Sequence, residues 1–435
     1  MKRSIVGLLV VLALVVLISP GIVGRLAEKN LEQDVEWAGE DSSDFVVTTE
    51  KFDRGWFSSE GRHRVTLRPS QLQVAMDPGE TMPALVIDTR IDHGLVPIGS
   101  MSQASGSLKP GLARMVSTLQ VDDGSGKLHE IPGTIVSETS LGGVTTGQYL
   151  LEAGSRDNDG GTASWEGADL RFVADNGNRS LTLAGEIQPW SYQSAGNRAD
   201  VGLLTIDARQ SDSPFGFPVG QMKLAVESVL VSDAMGQING FEGLFIDGSS
   251  VVDGSVLNAQ TTMRLEKLAI PGVGDVAMAM DVTASDLDAA SVGRISQALD
   301  RAQSSADPDA TPGQLFGAVQ KDLESLLAAG GEIRFDQLDV SLEQGTVRSK
   351  FGLSVAKSDG AFSWPGLILA LKADADVSVP AELVEMSRQM DPQTDSFIQM
   401  GILQLSGNEY RMQAEFAGGL LTVNGLPMPL PIPGQ

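Results

Sequence analysis

No cysteine occurs anywhere in the 435 residues. That excludes disulfides, thiolate nucleophiles and cysteine-ligated zinc or iron–sulfur sites together, so packing alone must hold the fold. Aromatic residues are scarce at 5%, and there are only three histidines. Basic residues are outnumbered, 31 Lys and Arg against 56 Asp and Glu, for a formal net charge of -25. A surface that acidic repels phosphate backbones, and with no basic patch to relieve it nucleic acid is disfavoured as a partner.

What is present points to sheet. Glycine is abundant at 49 residues, and glycine-rich turns with few aromatics read as many strands, not as long helices. Period-two alternation is cleanest at Leu181-x-Leu183, Met222-x-Leu224-x-Val226 and Val276-x-Met278-x-Met280-x-Val282, the pattern of half-buried strands. Asp122-Asp123-Gly124, Asp159-Gly160-Gly161, Asp175-Asn176-Gly177 and Asp247-Gly248 are predicted hairpin turns of a long antiparallel meander. Ile333 and Phe335 share one face while Leu338, Val340 and Leu342 lie in the opposite register, so a β-bulge is predicted near Gln337. A second hairpin pairs Tyr410, Met412, Ala414 and Phe416 with Leu421 and Val423 across Ala417-Gly418-Gly419.

Helices interrupt this grammar. Val292, Ile295 and Leu299 form one apolar stripe, and Leu315, Val319, Leu323, Leu326 and Leu327 a wider one. The second helix is framed by Thr311 as N-cap, Pro312, Gln314 and a terminal Gly330; its stripe is expected to pack on the sheet and close one end of an apolar face. Another helix is predicted from Pro380, using Leu383, Met386 and Met390.

The chain opens on Lys2 and Arg3, followed by an apolar run from Ile5 through Ile18 that continues past Ser19, Pro20 and Gly21 to Val23. At about 1.5 Å per residue, roughly 19 residues just cross a hydrocarbon core of about 30 Å. The run exceeds the apolar region of a signal peptide and lacks a small-x-small cleavage site. The expected organisation is a transmembrane anchor over residues 1–24, a first β-rich module over 25–212, and a second over 213–435 with a helical insertion at about 288–329. The boundary falls at Ser211-Asp212-Ser213-Pro214.

Catalytic motifs do not assemble. His63, His93 and His129 sit on three separate segments without metal-ligand spacing. Asp92 adjoins His93, but neighbours on a strand point to opposite faces. Gly272-Val273-Gly274-Asp275-Val276-Ala277 matches a dinucleotide fingerprint in letters, yet a strand follows where a helix N-terminus is required. In Asp157-Asn158-Asp159-Gly160 the calcium-loop glycine and glutamate positions hold Thr162 and Ala168. No G-x-S-x-G elbow or phosphate-cradling loop occurs. Trp37 lies soon after the anchor, where an indole suits the interface; Trp56 and the Met278 and Met280 stripe read as core filling.

Arg54-Gly55-Trp56-Phe57-Ser58-Ser59, Asp92-His93-Gly94-Leu95-Val96-Pro97 and Gly419-Leu420-Leu421-Thr422-Val423-Asn424-Gly425 resemble segments of the YdgA family of bacterial proteins. The late two-helix interruption agrees in order. Leu95 departs from the family's D-H-G-P-x-P pattern. The resemblance implies that Arg54, Gly55, Phe57, Ser58, Asp92, His93, Gly94, Asn424 and Gly425 are structural signatures. It further implies a membrane-anchored envelope protein with no recognised catalytic set.

The expected fold is mainly β (β-rich α+β): a long antiparallel meander or curved sheet with a few packed helices, preceded by one transmembrane helix. The expected function is non-enzymatic, with no cofactor and no metal. The curved sheet binds lipid, another apolar ligand or a partner protein, in outline like the AsmA-like lipid handlers. A ligand-free envelope scaffold is the alternative, and an unrecognised hydrolase the second. The expected place is the bacterial inner membrane, single-pass, with the body in the periplasm.

Overall fold

The computed structural model describes residues 45–54, 58–67, 84–93, 113–122 and, apart from short breaks, 124–428. The predicted anchor over residues 1–24, Trp37, Trp56 and the Thr311 cap lie outside the described residues. Among the described residues no helix is long and apolar enough to cross a membrane. The fold is mainly β, and every strand pair with a registered ladder is antiparallel. Two compact units divide it. One reaches to Asp212 and takes in Val231–Gln237 and Gln297–Leu315; the other comprises Ser213–Leu230, Ile238–Ser296 and Phe316–Gln435.

The first unit begins as a meander of β1 (Phe45–Arg54), β2 (Ser58–Leu67), β3 (Ala84–His93), β4 (Ala113–Asp122), β5 (Leu128–Thr139) and β6 (Val144–Leu151), each paired with the next. After it come β7 (Gly154–Asn158), β8 (Gly161–Trp165), β9 (Ala168–Asp175), β10 (Ser180–Ile187), β11 (Trp190–Ser194), β12 (Asn197–Val201) and β13 (Leu204–Asp212). These short strands are long strands broken at one level. Leu151 pairs with Ala168 and Gly154 with Trp165 in one continuous register. Ile187 and Trp190 repeat it against Ala168 and Trp165, then against Leu204 and Val201. A crease of two residues per strand therefore runs across four strands, held by Glu166 N donating to Pro189 O at 3.0 Å and Gln188 N to Gly167 O at 2.9 Å.

Alternation sets the core of this unit. Leu119, Leu170, Leu183 and Val86 are fully buried, and Tyr149 joins them with its hydroxyl donating to Pro132 O at 2.7 Å. Burial pushes that phenol up to about 12. Thr139 and Thr145, also buried, satisfy each other at 2.9 Å, as a dry site demands.

The second unit holds β14 (Pro218–Ser232) as far as Leu230, with β15 (Ile238–Asp253), β16 (Val256–Ile270) and β17 (Gly274–Asp288), strands of 15 or 16 residues. Two helices follow, α1 (Ala289–Ser304) and α2 (Pro312–Ala329), then β18 (Gly331–Leu342) and β19 (Gly345–Val355). The chain ends with α3 (Trp364–Ala370), β20 (Leu371–Pro380), α4 (Ala381–Met390), α5 (Gln393–Gln399), β21 (Gln404–Ser406), β22 (Glu409–Ala417), β23 (Leu420–Val423) and β24 (Leu426–Met428). Pairing runs β15, β16, β17, β18, β19, β20, β22, β23, β24 without a crossover.

Several sequence readings match this unit, and two depart from it. The register shifts in β18 between Phe335 and Leu338, placing the predicted bulge at Asp336 and Gln337. Gly418 and Gly419 both take positive φ in the two-residue turn between Ala417 and Leu420, as a tight hairpin needs. Gly330 ends α2 at φ 82°. The helix after Pro380 forms as predicted, but Val384 is its buried residue and Met386 is 42% exposed. Asp247-Gly248 is not a turn: both lie inside β15, paired with Thr262 and Thr261, and the chain reverses at Gly254-Ser255. Lys223 bridges Asp247 at 2.8 Å, so a strand position satisfies the side chain that the reading had assigned to a loop.

Candidate functional site: an open apolar sheet face

Directly opposed residues of an antiparallel ladder share a face. Met263 opposes Met280, which opposes Leu338. Leu265, Met278, Val340 and Val347 form the next row, and Phe335, Phe351, Ala375 and Ala414 another. Ile333, Leu353, Ala373, Phe416 and Leu421 form a fourth. One face of the second unit's sheet is thus apolar across most of its strands. Ala373, Ala375 and Ala414 are the small members of the last two rows.

Among the described residues, buried clusters stand at two ends of the face. Near the start of α1, Phe217, Leu257 and Ala289 form a buried cluster flanked by Phe215, Val252, Leu287 and Val292. At the opposite end α4 packs on β20 and β22, and buried Tyr410 donates to Glu385 Oε1 at 3.3 Å. Ile333, Phe351 and Leu353 remain 36%, 36% and 42% exposed. Phe335 meets Phe351 edge-on, centroids 6.4 Å apart. Covering the exposed third of Phe351 is worth on the order of 1–2 kcal/mol at about 25 cal/mol per Å². The stripe of α2 is half-buried at Val319, Leu323, Leu326 and Leu327, and its end is fastened beyond β19 by Ser358 N donating to Ala328 O at 3.0 Å.

The opposite face is charged. Arg264 donates to Asp281 Oδ2 at 2.7 Å, Gln337 Oε1 at 3.2 Å and the carbonyls of Met263 and Met280 at 2.9 Å each. The Arg264 hydrogen bond, opposed by partial burial and helped by Thr262, holds the Asp281 carboxyl below the usual carboxylate range. Arg348 and Ser378 converge on Glu409 at 3.0 and 2.6 Å. Ser378's hydrogen bond is the chief cause of that carboxyl's lowered pKa, with burial opposing it and Arg348 adding to it. These clusters join neighbouring strands as closed ion pairs.

The family-motif residues fall in two places. Arg54 pairs with Ser59, Ser58 with Asp92, and His93 with Ala113, so the first two motifs meet at one end of the first unit's sheet. Asp92 is buried there, 3.4 Å from Arg90 Nε. Gly55, Phe57 and Gly94 lie outside the described residues. Asn424 and Gly425 form the β23–β24 turn with φ of 50° and 79°, and Asn424 Nδ2 donates to Gly401 O at 2.8 Å and Ile402 O at 3.0 Å. His63, on β2, and His129, on β5, are not brought together. Among the described residues no group of three or more His, Asp or Glu is placed to hold a metal ion.

Sequence reading missed α3. Ser363 caps it, accepting from Gly366 N at 3.2 Å, and Pro365 follows in its first turn; that Ser-Trp-Pro start was the available signal.

A family model described as "Bacterial protein of unknown function (DUF945)" matches residues 1–431. The chain belongs to this family. It is 25% identical over 298 residues to Protein YdgA of Escherichia coli (strain K12). That alignment covers 62% of this chain and 57% of the relative, little more than half the relative's length. No solved structure matches. The family's description assigns no activity.

Proposed function

We propose that this protein of the DUF945 family is a non-enzymatic, membrane-anchored envelope protein whose second unit binds lipid acyl chains on its apolar sheet face. One observation carries the reading. The strand register sorts Met, Phe, Leu and Ala onto one face and Asp, Arg and Lys onto the other, yet toward the Gly331–Val355 end the apolar face keeps Ile333, Phe351 and Leu353 a third or more exposed. A face built as a core but left open stabilises whatever apolar chain covers it. Acyl chains are flexible and can lie against the small side chains of Ala373, Ala375 and Ala414. Methionine walls adapt to varied apolar partners.

Support for the anchor is the apolar run from Ile5 after Lys2 and Arg3, and support for a periplasmic body is the same signal-like start. The absence of catalytic spacing in the sequence, together with charged clusters that close on themselves as ion pairs, supports a role without chemistry.

The test is extraction and mass spectrometry of lipid from the purified full chain, beside the variant Leu353→Asp. Phospholipid is expected with the unaltered chain. Leu353 is already 42% exposed, so the variant is expected to lose lipid with little change in melting temperature. A chain free of lipid, or a variant that melts far lower while retaining it, overturns the reading; the former favours an envelope scaffold without a ligand. An active extracytoplasmic reporter fused after Gln435 checks the topology.

A further inference from the structure

We infer that α3 and the β22–β23 turn form a tip that dips into the surface of a phospholipid bilayer. α3 carries no charged residue and no buried one. Trp364 and Ile368 lie one turn apart on one side at 55% and 45% exposure, and Leu369 beside them is 69% exposed. The tip extends onto the adjoining hairpin: a Cβ built on Gly419 would stand 3.5 Å from Ile368 Cγ2, and Leu420, next along, is 54% exposed.

Composition decides between a bilayer and a protein partner. A stable protein interface takes roughly 20–30 residues a side, and this tip offers four large apolar side chains. Interfacial membrane contact needs only such a cluster, with an indole at headgroup depth and aliphatic chains beyond it. Charge agrees. Lys357 and Lys372 are both exposed; Lys357 follows Ala356, whose N–H donates to Ala370 O at the end of α3 at 3.2 Å. Lys372 pairs with Ala417, which pairs with Leu420. Among the described residues of that face, the acids Asp374 and Glu415 lie two residues further along their strands. On a chain of net charge -25, two lysines framing an uncharged apolar tip match an anionic headgroup layer.

This inference shares with the reading above only its lipid chemistry, and its test reads the tip and not the sheet. Because the chain has no cysteine, Leu369→Cys can carry a polarity-sensitive fluorophore in the full chain, with Lys350→Cys on the charged face as control. On vesicles of phosphatidylethanolamine and phosphatidylglycerol, the label at 369 is expected to brighten severalfold, shift to the blue and be quenched by brominated acyl chains. The label at 350 is expected to do none of these. Lys357→Gln and Lys372→Gln should each weaken the response, roughly fivefold, on anionic vesicles alone. Equal responses at 369 and 350, or a response at 369 that brominated chains do not quench, overturns the inference even if lipid co-purifies with the sheet.

Discussion

Asn424 and Gln413 exchange two hydrogen bonds: Asn424 N donates to Gln413 O at 2.7 Å, and Gln413 N donates to Asn424 Oδ1 at 2.8 Å. The same amide donates from Nδ2 to the carbonyls of Gly401 and Ile402. One side chain in a positive-φ turn thus ties the loop after α5 to β22 and the terminal hairpin. Asparagine suits this place because it tolerates the left-handed region and carries both a donor and an acceptor.

Asn424→Asp keeps the acceptor and turns the donor into an oxygen facing two carbonyls. It is expected to destabilise the second unit by about 2 kcal/mol, more than Asn424→Gly, which keeps the backbone free but leaves those carbonyls to water. Urea unfolding of the two variants checks the order, and equal losses would refute the donor argument.

The terminal hairpin was legible because Gly418-Gly419 and Asn424-Gly425 are turn pairs with a backbone reason behind them. The bulge in β18 was legible because one residue too many separates Phe335 from Leu338. Asp247-Gly248 misled for the converse reason: the same letters fit a long strand when Lys223 is there to pair with the aspartate. The candidate site was half legible. Alternation at Val276 through Val282 announces an apolar face, but nothing in a period of two says whether a second layer covers it. α3 escaped because seven residues make two turns, too few for a helical period to show.

Gly147 opposes Phe172 across β6 and β9, and the ring lies over the glycine so closely that an added Cβ would sit 2.1 Å from Phe172 Cζ. Gly147→Val must therefore expel the ring, at a cost of about 1–3 kcal/mol. Phe172→Leu in the same chain should recover part of that loss, and a double-mutant cycle on urea midpoints measures the recovery. Additive losses would show that the contact is not the cause.

His63 is buried on β2, with Thr49 Oγ1 3.2 Å from Nδ1 and, among the described residues, no hydrogen-bond partner at Nε2. Burial lowers its pKa below the usual 6.5, against a weaker pull from Asp88. The unfolded chain therefore binds the proton more readily. Stability from the neutral ring is complete above pH 6.5 and falls as pH drops toward the lowered value, by at most about 1.4 kcal/mol per pH unit. His63→Gln should abolish that slope between pH 7 and 5 while lowering stability at pH 7. A slope unchanged in the variant would place the titration elsewhere.

Arg264 sits beside the β18 bulge on the charged side, where its contact to Gln337 Oε1 holds the residue next to the extra Asp336 and its contact to Asp281 spans to β17. The bulge brings Phe335 and Leu338 onto the same face despite their three-residue spacing, so the charged network sets the shape of the apolar one. Arg264 and Asp281 are each about a third exposed, and a pair in that setting contributes about 1 kcal/mol or less after screening. Arg264→Lys keeps the charge but cannot reach carboxylate, amide and two carbonyls at once, so it should lose nearly as much stability as Arg264→Gln. Asp281 is depressed in the folded state, so its contribution is present above the usual value of 3.8 and is lost as pH falls through the depressed one. Urea midpoints at pH 7 and pH 3 should therefore separate the unaltered chain from both variants at pH 7 and narrow that gap in acid, where only the contacts to Gln337 and the two carbonyls persist in full. Arg264→Lys behaving like the unaltered chain at pH 7 would mean that charge alone, and not the forked contact, holds the bulge.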